Sequence, residues 1–137
     1  MRKWTYFNEE KEPMIRGVDA ELMAALDRAR HRAGIPFIVT SGYRTPEDNF
    51  AVGGVTDSAH VSGHAIDLRC TNSRHCFLIV RSLVAEGLRR IVVGIRLEKD
   101  YMGKVNLAYH NVHVDNDADK PQDLIAIKLY GEVPKVA

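Results

Sequence analysis

Two stretches of this 137-residue chain concentrate the side chains that bind metals and move protons. The denser one, Ser58-Ala59-His60-Val61-Ser62-Gly63-His64-Ala65-Ile66-Asp67, sets a histidine and a carboxylate seven residues apart across a glycine. That spacing suits one ligand from a loop and one from a strand converging on a single ion. The other, Tyr109-His110-Asn111-Val112-His113-Val114-Asp115, adds two histidines on what reads as a neighbouring strand. A catalytic zinc takes about three protein ligands of the His and Asp or Glu type and keeps one position open. His60, Asp67 and His113 supply that set. His64 stands four residues after His60, but no Glu follows His60 and Gly63 argues against a helix there, so His64 reads as a non-ligand lining the cleft.

The elements that must position these groups are legible from periodicity and punctuation. Leu22, Met23, Leu26, Ala29 and Ala33 recur at helical spacing, which predicts an amphipathic helix over Asp19 to Ala33, stopped by Gly34. Phe37 to Thr40 is a short apolar run between Pro36 and Ser41-Gly42, as in a buried strand ending in a turn. Gly42 to Gly63 reads as a long loop with one helical turn opened by Pro46, and long loops in compact domains are usually functional. A strand over His64 to Arg69 follows, then a helix capped by Asn72 or Ser73 and running to about Gly87. Further strands are predicted over Ile91 to Ile95, Ala108 to Asp115 and Leu124 to Tyr130. Strands interleaved irregularly with two helices predict an α+β domain with a mostly antiparallel sheet.

Size and charge narrow the classes. The length and the 45% hydrophobic content suit a single domain over residues 1–137. Nineteen basic against eighteen acidic residues is far from the cationic balance of a nucleic-acid binder. No apolar stretch has the length of a signal peptide or a membrane span, so the expectation is a soluble protein without an export signal. Cys70 and Cys76 are too few for a disulfide framework and read as small core thiols.

The segment Ser58-x-His60-x-x-Gly63-x-Ala65-x-Asp67 resembles, at every fixed position, the signature of the zinc D-Ala-D-Ala carboxypeptidase family, which includes murein endopeptidases and phage endolysins. Ser41-Gly42-Tyr43-Arg44-Thr45-Pro46, with Asn49 and Val52-Gly53-Gly54, resembles the loop before that signature, and Val112-His113-Val114-Asp115 the segment carrying the third ligand. The resemblance implies the fold shared by D-Ala-D-Ala peptidases and the hedgehog signalling domain, zinc held by His60, Asp67 and His113, and zinc-assisted hydrolysis of an amide in cell-wall peptidoglycan. It implies substrate binding by Arg44, and places Ser58, His64, Tyr43 and Asp115 around the cleft, Asp115 orienting a ligand imidazole. Together with the compact length and the lack of an export signal or separate wall-binding module, the expectation is a phage or prophage lysis enzyme made in the cytoplasm, or a catalytic domain cut from a longer protein.

One position departs from the family. Several members carry a carboxylate base three residues before the last zinc histidine, where this chain has His110. A neutral imidazole performs the same proton work near pH 7. Residues three apart on a regular strand face opposite ways, so His110 reaches the metal only where the strand begins late or bulges. The rival expectation is a zinc-stabilised recognition module without catalysis, in which a fourth side chain, His110 above all, closes the coordination sphere.

Overall fold

The computed structural model of the chain describes residues 2–131; the ends of the expected 1–137 domain, Met1 and residues 132–137, lie outside the described residues. Helix α1 covers Ala20–Ala33. The Asp19 carboxylate caps it by accepting from the Leu22 N–H, and Gly34 ends it at φ 69°, a left-handed conformation in which a Cβ is unfavourable. Helix α2, Pro46–Ala51, starts on proline behind a Thr45 cap, and α3, Ser73–Ala85, is capped by Asn72. All three starts follow from the sequence.

Five strands, β1 Val39–Ser41, β2 Ala65–Arg69, β3 Arg90–Lys99, β4 Val105–Asp115 and β5 Leu124–Tyr130, form one sheet in the order β1-β2-β4-β3-β5. Every pairing is antiparallel except β3 with β5, giving the mixed α+β architecture and the mostly antiparallel sheet that the element pattern predicts. Two differences have simple causes. β3 and β4 run on to Lys99 and back from Val105, because they pair with each other beyond the body of the sheet, where charged residues mask the apolar run. β1 begins at Val39 rather than Phe37, whose ring is buried in the core ahead of the strand.

The pleat sorts side chains to two faces. Ile66 and Leu68 of β2, Val112 and Val114 of β4 and Ile91 of β3 are fully buried in one cluster with Leu22, Met23 and Leu26 of α1 and Ile79 and Leu83 of α3. Each such side chain contributes about 1.5–3 kcal/mol on burial. Cys70 and Cys76 belong to the same cluster as free, buried thiols, as expected. The alternate residues Asp67, His113, Asp115, Arg90 and Val92 line a cleft on the opposite face. No described helix is long and apolar enough to cross a membrane.

Candidate metal centre

His60 comes from the loop between α2 and β2, and local packing explains how that loop holds its shape. The Ser58 hydroxyl accepts from the His60 N–H at 3.2 Å. Gly63 sits at φ 78°, its carbonyl accepts from the Asp19 N–H at 2.7 Å, and a Cβ there would stand 2.3 Å from the Gly17 carbonyl oxygen. Ala65 is fully buried, and Asp67 two residues on faces the cleft. Each fixed position of the Ser58–Asp67 segment therefore has a packing or ligand reason.

β2 and β4 bring Asp67 directly opposite His113. His60 Nε2 lies 3.3 Å from Asp67 Oδ2, and His113 Nδ1 lies 2.9 Å from Asp67 Oδ1. One ligand atom from each of the three residues falls within 4.8 Å of the others, and among the described residues this is the cluster of metal-binding side chains that forms. The group opens onto a cleft of about 490 Å³ whose walls include Arg44, Val52, Gly53, Gly54, Ser58, Asn111, Lys120, Lys128 and Tyr130.

The far nitrogen of each imidazole fixes its tautomer. His60 Nδ1 is 2.8 Å from the Gly42 carbonyl, an acceptor only, so Nδ1 carries the proton and Nε2 presents a lone pair to Asp67. Gly42 is required at this point, since a Cβ would meet the Met14 carbonyl oxygen at 2.3 Å. His113 Nε2 donates to Asp115 Oδ2 at 2.7 Å, leaving Nδ1 toward Asp67. Asp115 is buried and is itself held by Arg90, whose Nε donates to Oδ2 at 3.0 Å and whose Nη1 donates to the Pro121 carbonyl at 2.9 Å.

Lone pairs aimed at a carboxylate need positive charge between them. Burial alone would lower the His113 pKa, but hydrogen bonds to Asp115 and Asp67 outweigh it and raise it to about 9. Burial alone would raise Asp67, but His113 and His60 hold its carboxyl well below the usual carboxylate range. A bound cation answers the same demand. Three donors of nitrogen and oxygen type, two oriented from behind and one side left open to a cleft, fit a divalent metal of zinc type.

Arg44 donates its backbone N–H to the His60 carbonyl at 3.1 Å, which ties it to the ligand loop, and its guanidinium lines the cleft with a buried Nε that has no partner among the described residues. Ser58 and Asp115 also line the cleft. Tyr43 does not: its ring packs against Gly17, where a Cβ would come within 2.5 Å of it. His64 is also outside the cleft wall, because it precedes β2 and turns to the Ser62 hydroxyl at 3.1 Å.

His110 occupies a bulge. The β3–β4 register passes from Gly94 opposite Asn111 to Ile95 opposite Tyr109, so His110 is the unpaired extra residue. Its ring packs edge-on against Tyr130 with centroids 4.8 Å apart, and it is neither in the ligand cluster nor on the cleft wall. Sequence reasoning passed over Arg90, Asn111, Lys128 and Tyr130. Arg90 meets Asp115 only through the register of β3 with β4, whereas Lys128, a lone cation inside the apolar run Leu124–Tyr130, was a usable signal.

A histidine–carboxylate–histidine set, with His60 buried and Asp67 and His113 half-buried, thus opens on a cleft of an α+β domain and offers the ligands for a metal ion. This chain belongs to the M15 peptidase family, whose model, described as Peptidase M15, matches residues 3–100. The match takes in His60 and Asp67 and ends before β4. Among solved structures, the chain is similar to the crystal structure of the Serratia marcescens L-Ala D-Glu endopeptidase ChiX, with 19% identity over 76% of this chain and 88% of that one and a TM-score of 0.44. No curated protein sequence matches.

Proposed function

We propose that this M15 peptidase is a zinc-dependent enzyme that hydrolyses a peptide bond in the stem or crosslink peptides of bacterial peptidoglycan, and that its described residues form one domain of the hedgehog/DD-peptidase type. The observation that carries the reading is the three-donor cluster of His60, Asp67 and His113 with one side open to the cleft. Bound there, zinc supplies Lewis acidity, bringing a water's pKa toward neutrality and polarising a carbonyl.

The chain's own residues do the rest. The Gly42 carbonyl and Asp115 hold the two imidazoles in the ligating tautomer, and Arg90 keeps Asp115 aimed. Arg44, fixed to the His60 backbone, anchors a substrate carboxylate or carbonyl oxygen in the cleft. Both carboxylates on the cleft wall are engaged by His113, so this reading assigns proton transfer to the leaving amine to His110, whose ring packs edge-on against Tyr130 of the cleft wall.

The position of His110 favours a second reading, a recognition module of the same fold that binds zinc without catalysis. Digestion of purified peptidoglycan by zinc-loaded protein, with products read by mass spectrometry, separates the two. New peptide termini that vanish with His60→Ala and fall at least about a hundredfold with His110→Ala support the peptidase with His110 as base. Termini that persist in His110→Ala remove His110 from the mechanism, and stoichiometric zinc without any cleavage leaves the recognition module.

A further inference from the structure

Four cations and two carboxylates line the cleft. The carboxylates of Asp67 and Asp115 face His113, Arg90 is spent on Asp115 and the Pro121 carbonyl, and Lys120 Nζ donates to the Asp57 carbonyl at 2.8 Å. Arg44 and Lys128 remain, neither forming an ion pair with any described residue. They sit on opposite sides of the ligand cluster: Arg44 follows β1 at one edge of the sheet and Lys128 lies on β5 at the other.

Strand register sets the floor between the cluster and Lys128. Lys128 is level with Gly94 and Asn111 across β5, β3 and β4. Because Gly94 has no side chain, the Asn111 amide and the Tyr130 ring lie across it; a Cβ there would stand 2.0 Å from Asn111 Oδ1 and 2.8 Å from the ring. Lys128 Nζ is poised 4.9 Å from the Tyr130 ring centroid. The Lys128 ammonium, the Asn111 amide and the Tyr130 ring then lie together at one end of the cleft, and an ammonium beside an amide is the chemistry that recognises a carboxylate.

Resting on the peptidase reading, we propose that Lys128, with Asn111 and Tyr130, forms a second carboxylate subsite, so that the enzyme selects peptides bearing an acidic group on the side of the scissile bond away from Arg44. His113, Val92 and Ala126 stand side by side, and Lys128 is two residues further along β5 on the same face. At about 4.8 Å per strand and 3.3 Å per residue, its backbone lies about 12 Å from that of His113. An extended peptide covers this in about three residues, and the lysine stem shortens the reach.

The test uses the stem peptide L-Ala–γ-D-Glu–diaminopimelate–D-Ala, with its side carboxylates free or amidated, on zinc-loaded wild type, Lys128→Gln and Lys104→Gln. Wild type is expected to favour the free acid about tenfold in kcat/KM, the difference residing in KM, and Lys128→Gln to bring that ratio near one. Lys104→Gln removes the same charge from the exposed β3–β4 turn and should keep the preference. An unchanged ratio in Lys128→Gln, or an equal fall in Lys104→Gln, overturns the subsite while leaving the peptidase intact. If neither peptide is cut, cleavage within the stem fails on its own. Shift titration by NMR with the same peptides then decides: tighter binding of the free acid that disappears in Lys128→Gln keeps the subsite, and equal binding removes it.

Discussion

The β2–β4 half of the sheet and its β3–β5 half carry the same alternation of side chains under opposite physical conditions. On the core face, Ile66 of β2 is fully buried beneath the helices, while Ile127 of β5 remains 66% exposed. On the cleft face the contrast repeats. Asp67, His113 and Asp115 are linked to one another and held from behind, whereas Lys128 is exposed and rests on an aromatic ring. A metal centre needs the first condition, because ligands must be fixed before the ion arrives. Substrate contacts tolerate the second, because they form only when the ligand enters.

The comparison breaks most severely if the ligand half is not organised around a cation. His60→Ala should weaken zinc binding by about two to three decades, since each ligand carries a share of a total near 10–16 kcal/mol. Competition with a chromogenic chelator measures it, and near-wild-type affinity would remove His60 from the centre. Next in size is packing. Ile66→Ala should cost about 2–5 kcal/mol in urea unfolding, and Ile127→Ala less than about 1 kcal/mol, because only the first leaves a cavity. Equal losses would mean that the exposed face of β5 is covered in solution.

The pH dependence of metal-free protein sharpens the same point. His113 titrates near 9 folded against 6.5 for an ordinary histidine, so its contribution is complete below pH 6.5 and is lost as pH rises through 9. Asp67, depressed in the fold, contributes above its ordinary 3.8 and loses that contribution as pH falls below it. The stripped protein should therefore be most stable between these limits and lose up to about 3 kcal/mol toward pH 9. Zinc should abolish this alkaline loss by replacing the His113 proton. A flat profile by thermal denaturation would contradict the His113–Asp67–Asp115 linkage. The smallest effect concerns orientation: Asp115→Asn should weaken zinc binding by about 10–100-fold without removing a ligand, and Arg90→Ala should act in the same direction through Asp115.

Much of the ligand half was legible in the chain. Asp19, Gly34, Thr45 and Asn72 mark helix ends because capping depends on local hydrogen bonds. The Ser58–Asp67 segment is readable because the loop geometry that aims His60 is made within a few residues of it. The bulge at His110 was not, since an unpaired residue exists only relative to a partner strand. Tyr43 and His64 were expected around the cleft, but adjacent residues in turns and strands point different ways, and neither lines its wall.

The sequence by itself determined which residues can bind a metal, where helices begin and end, and the apolar alternation that separates a core face from a cleft face, because these depend on side-chain chemistry and short-range backbone preference. Only the tertiary structure decided that Asp67 stands opposite His113, that Arg90 reaches Asp115, and that Gly94 clears a floor for Asn111 and Tyr130 beside Lys128. Those facts depend on strand order and register, which arise from burying the whole core at once.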